Sequence, residues 1–386
     1  MPKSILTRKR YAVPSFNKLR KPLNVILPKV PLLSSRCNRP LQMEFEHQLN
    51  ALIFFHLEDH TSGRQLVQVL QDDDFARNNI APPDGIRKSS FFEAMRERGL
   101  EQFLFVFQEL QQSAAKYLPQ KYPELGRLIA IDGSLIDSVL SMEWATYRDG
   151  AKKAKTHIGF DVNRSIPKKI FLTDGNGGER PFVNKILEPG ETGIMDRGYQ
   201  CHKNFDLWQD EGKHFVCRIK GNTVITCLEK FQPPPDSFVF YDARVQLGQP
   251  GINQTEKPLR LVGYRVGGKE YWIATDRFDL TAEQVAQVYK LRWDIEKFFA
   301  WWKRHLSVYH LISRSEHGLM IQILAGLITY LLLAIYCHEE HGEPVSIKRV
   351  RELRCKILNE TREAEFEPDC SGQEKHPPLQ SVLATS

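Results

Sequence analysis

The first 43 residues contain no aspartate or glutamate, yet they hold ten lysines and arginines. The formal charge of the whole chain is only +6, so the positive excess is concentrated in this acid-free stretch. An arm of that kind suits nucleic-acid phosphates, although a solubilising tail would have the same composition. The seven cysteines are odd in number and no two are spaced CxxC. That argues against a disulfide framework or a structural zinc site, and it fits a reducing cytosol. There is no internal repeat and no glycine-rich phosphate loop. The basic start is not followed by a continuous apolar run and a small-residue cleavage site, so no secretory leader is expected. The expected location is cytoplasmic and nucleoid-associated, with no membrane partner. One segment tests that reading. LMIQILAGLITYLLLAIYC, 319–337, reaches the length of a bilayer span. A helix buried against a sheet has the same composition, and that is the favoured reading.

The chain of 386 residues, 41% hydrophobic and 26% charged, has an ordinary globular balance and room for two or three domains. Residues 1–43 are read as the basic arm. Residues 44–118 carry helical spacing in FEHQLNALIFFHLEDH and FFEAMRERGLEQFLFVFQEL, broken by NNIAPPDG. Beyond residue 119 the texture changes. RLIAIDGS, KTHIGFDVN and KKIFLTDGNGG read as neighbouring strands. ETGIMDRGY, helix-like NFDLWQDEG and KHFVCRIKGN then alternate as strand, helix and strand, which predicts a mixed α/β sheet over 119–221. Residues 222–278 are β-rich, with turns at PPPD, GQPG and VGGK. LTAEQVAQVYKLRWDIEKFFAWWKRHL reads as one helix, opened by Thr281 with Gln284 at capping-box spacing. It begins a second α/β part over 279–345. Residues 346–386 form a tail, polar and disordered from about residue 360.

Three acids stand out. Asp132 and Asp196 each close a short apolar run, at strand ends where open α/β sheets build their sites. Glu296 lies in YKLRWDIEKFFAWWK. At 100° per residue, Tyr289, Arg292, Glu296 and Lys303 all fall within about 60° of one another on a helix. An amphipathic helix with a simple Arg–Glu pair would read the same way on this stretch alone. Taken with Asp132 and Asp196, the stripe points further. Three carboxylates without histidine or cysteine ligands suit Mg²⁺, with Mn²⁺ able to substitute, better than zinc. A pair of such ions serves phosphoryl transfer, and Arg292 and Lys303 are suitable phosphate clamps. A glycosidase could also use two carboxylates, but the cations and the basic arm favour phosphates.

On these residues the sequence resembles the DDE transposases of bacterial insertion sequences, specifically the insertion-sequence-4 family. The Y-(2)-R-(3)-E-(6)-K signature of that family is present as Tyr289, Arg292, Glu296 and Lys303. DGS at 132–134 resembles its first-acid motif and DRGY at 196–199 its second. KTHIGFDVNR and ISRSEHGLMIQILAGLITYLLL are similar as well, so the likeness runs over about 45–340. A second lysine that some members carry four residues after the glutamate is Ala300 here. The resemblance implies an RNase H-like core interrupted by a β-rich insertion, with an N-terminal helical DNA-binding domain. It implies Asp132, Asp196 and Glu296 as catalytic and metal-binding residues. Tyr289, Arg292, Lys303 and Arg197 would contact DNA, and Trp272 of the β-rich region would stack on a flipped base, a core strand position being its plainer reading. The implied activity is Mg²⁺-dependent cleavage of the terminal inverted repeats and strand transfer into target DNA by a homodimer, through a hairpin in some members. A structure-specific endonuclease of the same fold and a transposase-derived DNA-binding protein are the alternatives.

Overall fold

The computed structural model describes residues 15–33 and 41–365, apart from 59, 83, 234, 236 and 307. Most of the acid-free arm (1–14 and 34–40) and the tail 366–386 lie outside the described residues. The described part of the arm is packed. Helix α1 (Ser15–Arg20) buries Phe16 and Leu19 completely, and α2 (Leu23–Ile26) buries Leu23. The Ser15 hydroxyl donates to Glu360 Oε1 at 2.7 Å. Lys18 and Arg20 pair with Glu340 and Glu46. The apolar residues of this short basic helix cover the core, while its lysine and arginine reach neighbouring acids.

The helices read over 44–118 are present as α3 (Phe45–Leu57), α4 (Gly63–Asp72), α5 (Asp74–Asn79), α6 (Lys88–Glu97) and α7 (Leu100–Tyr117). The Ser62 side chain accepts from Gln65 N and caps α4.

Strands β1 (Arg127–Asp137), β2 (Lys153–Asp161) and β3 (Ile166–Asp174) form an antiparallel meander. Helix α8 (Arg180–Ile186), β4 (Glu191–Met195), α9 (His202–Asp210) and β5 (His214–Arg218) follow. β4 runs parallel to β1, and β5 runs parallel to β4. The β-rich stretch supplies β6 (Ile225–Lys230), β7 (Val239–Leu247), β8 (Leu259–Val266) and β9 (Lys269–Thr275), an antiparallel run in which β9 joins β5. The result is one mixed sheet of nine strands in the order β3-β2-β1-β4-β5-β9-β8-β7-β6.

Continuous apolar runs fit central strands that are covered on both faces. In β1, Leu128 and Ala130 face the helices that close the chain, whereas Ile129 and Ile131 face α8 and α9. The chain closes with α10 (Ala282–Lys290), α11 (Trp293–His305), α12 (Glu316–His341) and α13 (Ile347–Glu365). Helix α12 is apolar on every side and buried nearly throughout from Gly318 to Cys337, packed against α3, α6, α7 and β3. It is the one helix among the described residues long and apolar enough to cross a membrane, and it lies inside the protein. Helix α13 runs to Glu365, so the chain stays helical past the expected onset of disorder near 360.

Two tertiary ties matter below. The buried Arg260 guanidinium donates to Asp242 at 2.9 and 2.7 Å and to the Leu280 carbonyl, fastening β7 and β8 to the start of α10. The helix expected over 280–306 is divided. Between α10 and α11 the N–H groups of Arg292, Asp294 and Ile295 bond three residues back, a 3₁₀ tightening that turns Arg292 relative to α11.

Candidate active site

The backbone creates an opening at Asp132. The last β1–β4 pair is Ala130 with Ile194, and β4 stops at Met195. From there β1 is paired only with β2. Asp132 therefore lies where two parallel strands part, in the middle of β1 and not at the strand end expected for it, because pairing with β2 carries β1 on to Asp137. It has the same strand parity as Leu128 and Ala130, so it shares the face covered by α11. Asp196 follows β4 directly and begins a short turn, its Oδ1 accepting the Gly198 N–H at 2.7 Å. Glu296 stands on the first turn of α11.

Arg292 joins the helix to the sheet. Its Nη1 is 2.6 Å from Glu296 Oε1 and 4.0 Å from Asp132 Oδ2. The guanidinium is buried, and burial opposes its charge, but Tyr289, Glu296 and Asp132 outweigh that and raise its pKa. Asp132 is pushed up to about 7, chiefly by burial. The Gly133 N–H, donating to Oδ1 at 2.8 Å, and the Arg292 charge work against this rise, whereas the nearby charges of Glu179 and Asp196 add to it. Asp132, Asp196 and Glu179 thus form a partly buried acidic cluster. Its donors are all oxygens, as a hard divalent cation requires. As arranged, no three Asp, Glu, His or Cys side chains among the described residues are drawn together closely enough to hold an ion. Arg292 stands between Asp132 and Glu296.

The remaining signature residues surround this centre. Tyr289 is buried on α10 and hydrogen-bonds Arg292. Lys303, one end of the stripe, donates to the Leu135 carbonyl on β1, and burial lowers its pKa. Arg197 is exposed on the turn beside Asp196. Ala300 is exposed as well.

Trp272 is not at the site. Its ring lies 5.3 Å from Phe240 and 5.2 Å from Tyr241, and it packs on the side of the sheet that carries α8 and α9. Successive strand residues face opposite ways, so its neighbour Tyr271 lies on the other side of the sheet, the side of Asp132. The Tyr271 ring is 6.2 Å from Tyr289 and 5.2 Å from a stacked Tyr264. The Arg218 guanidinium sits 5.0 Å above Tyr271. Arg218 ends β5 with the parity of Val216, again on the Asp132 face. Sequence reading missed Arg218 and Tyr271. The alternation in HFVCR carried the signal for Arg218, with Val216 and Arg218 on one side and Phe215 and Cys217 on the other.

Residues 123–332 match the family described as Transposase DDE domain. Putative transposase y4zB of Sinorhizobium fredii is 29% identical over 243 residues, 61% of this chain and 66% of that protein. The probable transposase for insertion sequence element IS5377 of Geobacillus stearothermophilus is 26% identical over 194 residues, 50% of this chain and 52% of that protein. The putative transposase for insertion sequence element IS4SA of Synechocystis is 24% identical over 277 residues, 69% and 76% of the two chains. The match thus spans just under two thirds of the first of these relatives and about half of the second. Among solved structures, a piggyBac transposase synaptic complex with hairpin DNA aligns over 94% of this chain and 84% of that one. Its identity is 13% and its TM-score 0.47, a likeness too distant to carry an argument.

Proposed function

The chain belongs to the transposase DDE domain family, and from that premise we propose that it is a DNA transposase that cleaves the ends of its element and joins them to target DNA. The observation that carries this reading is the Arg292 guanidinium bridging Asp132 and Glu296 at the parting of β1 and β4, with Asp196 beside them. The strand order β3-β2-β1-β4-β5 supports an RNase H-like core, with β6 to β9 as its insertion and α3 to α7 as an N-terminal DNA-binding unit.

In this reading Asp132, Asp196 and Glu296 hold Mg²⁺. When bound, the ions supply activation of the attacking hydroxyl and neutralisation of the leaving oxygen. The protein's own groups do the rest. Arg292 and Arg218 offer guanidinium forks to a phosphate on the metal face of the sheet. Tyr289 aims Arg292 by its hydroxyl. Lys303, anchored on the Leu135 carbonyl, places its charge beside the outgoing end of β1. Tyr271 presents the stacking surface first assigned to Trp272, and base stacking on such a ring is worth about 1–3 kcal/mol. Arg197 contacts the backbone from the exposed turn. In this reading two copies of the chain act on the paired ends.

The test is an end-cleavage assay with purified protein, Mg²⁺ and duplexes bearing the element's terminal repeats. Nicks that leave 3′-OH ends, followed by joined products, are expected. Nicking without joining would point to a structure-specific endonuclease, and binding without nicking to a DNA-binding derivative.

A further inference from the structure

The turn that carries Asp196 is gripped from one place. Arg180 opens α8, and its Nε donates to the Gly198 carbonyl at 2.9 Å. Gly198 in turn donates its N–H to Asp196 Oδ1, so both backbone groups of this residue are engaged. The residue before Arg180, Glu179, hydrogen-bonds the Tyr199 hydroxyl, and Tyr199 is 1% exposed. Two adjacent side chains thus hold two adjacent residues of the DRGY turn.

The same glutamate also abuts β1. A Cβ built on Gly133 would stand 2.7 Å from Glu179 Oε1 and 2.9 Å from the Lys155 stem. Glu179 is fixed there by an ion pair of 2.5 Å to Lys155 of β2. The glycine after Asp132 is therefore the bare part of β1 over which Glu179 and Lys155 pass. Any side chain there would push the carboxylate off the strand or off Tyr199. One half-buried carboxylate touches the residue that follows Asp132 and bonds the third residue after Asp196.

We propose that Glu179 and Arg180 are positioning residues that set the distance between Asp132 and Asp196 by clamping the Asp196 turn against β1. This rests on the reading of those aspartates as metal ligands. A plainer role, fastening α8 to the sheet, predicts lost stability and nothing else. Groups behind the ligands of a metal site, by contrast, shift metal affinity itself by about 10–100-fold.

The experiment is a titration of the full chain with Mn²⁺ alone, read by the loss of the free-ion electron paramagnetic resonance signal, with a thermal melt of each variant. Glu179→Ala and Tyr199→Phe are expected to weaken Mn²⁺ binding about tenfold, in the range of removed outer partners, while the melting temperature moves by a few degrees. Glu179→Gln keeps an acceptor for Tyr199 and should recover most of the affinity. Arg180→Ala should fall between. Wild-type Mn²⁺ affinity in Glu179→Ala and Tyr199→Phe, with Asp132→Asn binding none, would overturn the clamp and leave the metal site standing. Unchanged binding in Asp132→Asn would overturn the metal site, and the clamp with it. Should Glu179→Ala fail to fold, Tyr199→Phe, which removes a single hydroxyl, decides alone.

Discussion

Arg292 and Glu296 form an ion pair of 2.6 Å one helical turn apart. On an isolated helix such a pair contributes only about 0.2–0.5 kcal/mol. Here the guanidinium is buried and also faces Asp132 at 4.0 Å. It offsets part of the carboxylate charge of Asp132 and Glu296.

That placement sets arginine and metal in competition for the same oxygens. Arg292→Ala should therefore bind Mn²⁺ more tightly than the wild type in the absence of DNA, because the space between Asp132 and Glu296 is free. The same variant should bind a DNA end less tightly, through loss of a charge-assisted contact worth about 1.5–3 kcal/mol. Titrations with Mn²⁺ and with labelled end duplex check both signs, and a parallel fall in both affinities would contradict the competition.

Glu296→Gln keeps the shape of the side chain and an acceptor for Arg292, but it removes the negative charge. Cleavage should disappear while end binding stays within about threefold, a change of less than 1 kcal/mol. Full cleavage by this variant would reduce α11 to an amphipathic strut.

Tyr271 and Trp272 are adjacent and should behave oppositely. Tyr271→Ala should impair end binding or nicking by about 1–3 kcal/mol, the range for a stacked base, with little change in melting temperature. Trp272→Ala should cost stability, on the order of 3 kcal/mol for a large ring taken from a packed cluster, with little direct effect on the chemistry. Urea unfolding and end-binding assays on both variants separate the two effects.

His56 supplies a pH test remote from the site. It is buried between the carbonyls of Leu306 and Gln322, and burial lowers its pKa to about 4 although both carbonyls favour the protonated ring; the neutral ring donates to one of them only. The folded value lies below the unfolded value of 6.5. As pH falls from 6.5 towards 4 the unfolded chain takes up a proton that the folded chain refuses. Stability is thus fully present above 6.5 and is lost through that window, by up to about 3 kcal/mol. Asp132, raised to about 7, contributes the opposite slope over this window, so the check is a difference: urea unfolding of the wild type and of His56→Gln between pH 7 and 4.5 should diverge by the His56 slope.

Much of this site was legible because strand ends and helical spacing are local. Asp196 closes an apolar run at the end of β4, and the four-residue spacing of Arg292 and Glu296 needs only one helical turn, whereas Asp132 lies inside β1 and the stripe from Tyr289 to Lys303 is shared between α10 and α11. What escaped depends on pairing between distant segments. Choosing Tyr271 over Trp272 requires the register of β9 against β5, which no short window of sequence contains. The break at Leu291 and Arg292 has no glycine or proline to announce it. Glu179 lies in a loop whose meaning comes from Gly133 and Tyr199, far apart in the chain. The acid-free arm misled by composition, since charge gave no sign that Phe16 and Leu19 would be buried.

The ladder between β5 and β9, with the bond of Arg260 to Asp242 and Leu280, has a mechanical consequence. Strands β6 to β9 cannot swing as a hinged flap, since they share a backbone ladder with the core and are bolted to the helix that leads to Glu296. A load on the far edge of the sheet, at β6, is transmitted as a lever transmits it, to the strand bearing Arg218 and to the helix bearing Tyr289. A pull at that edge and the alignment of the acids then become a single motion.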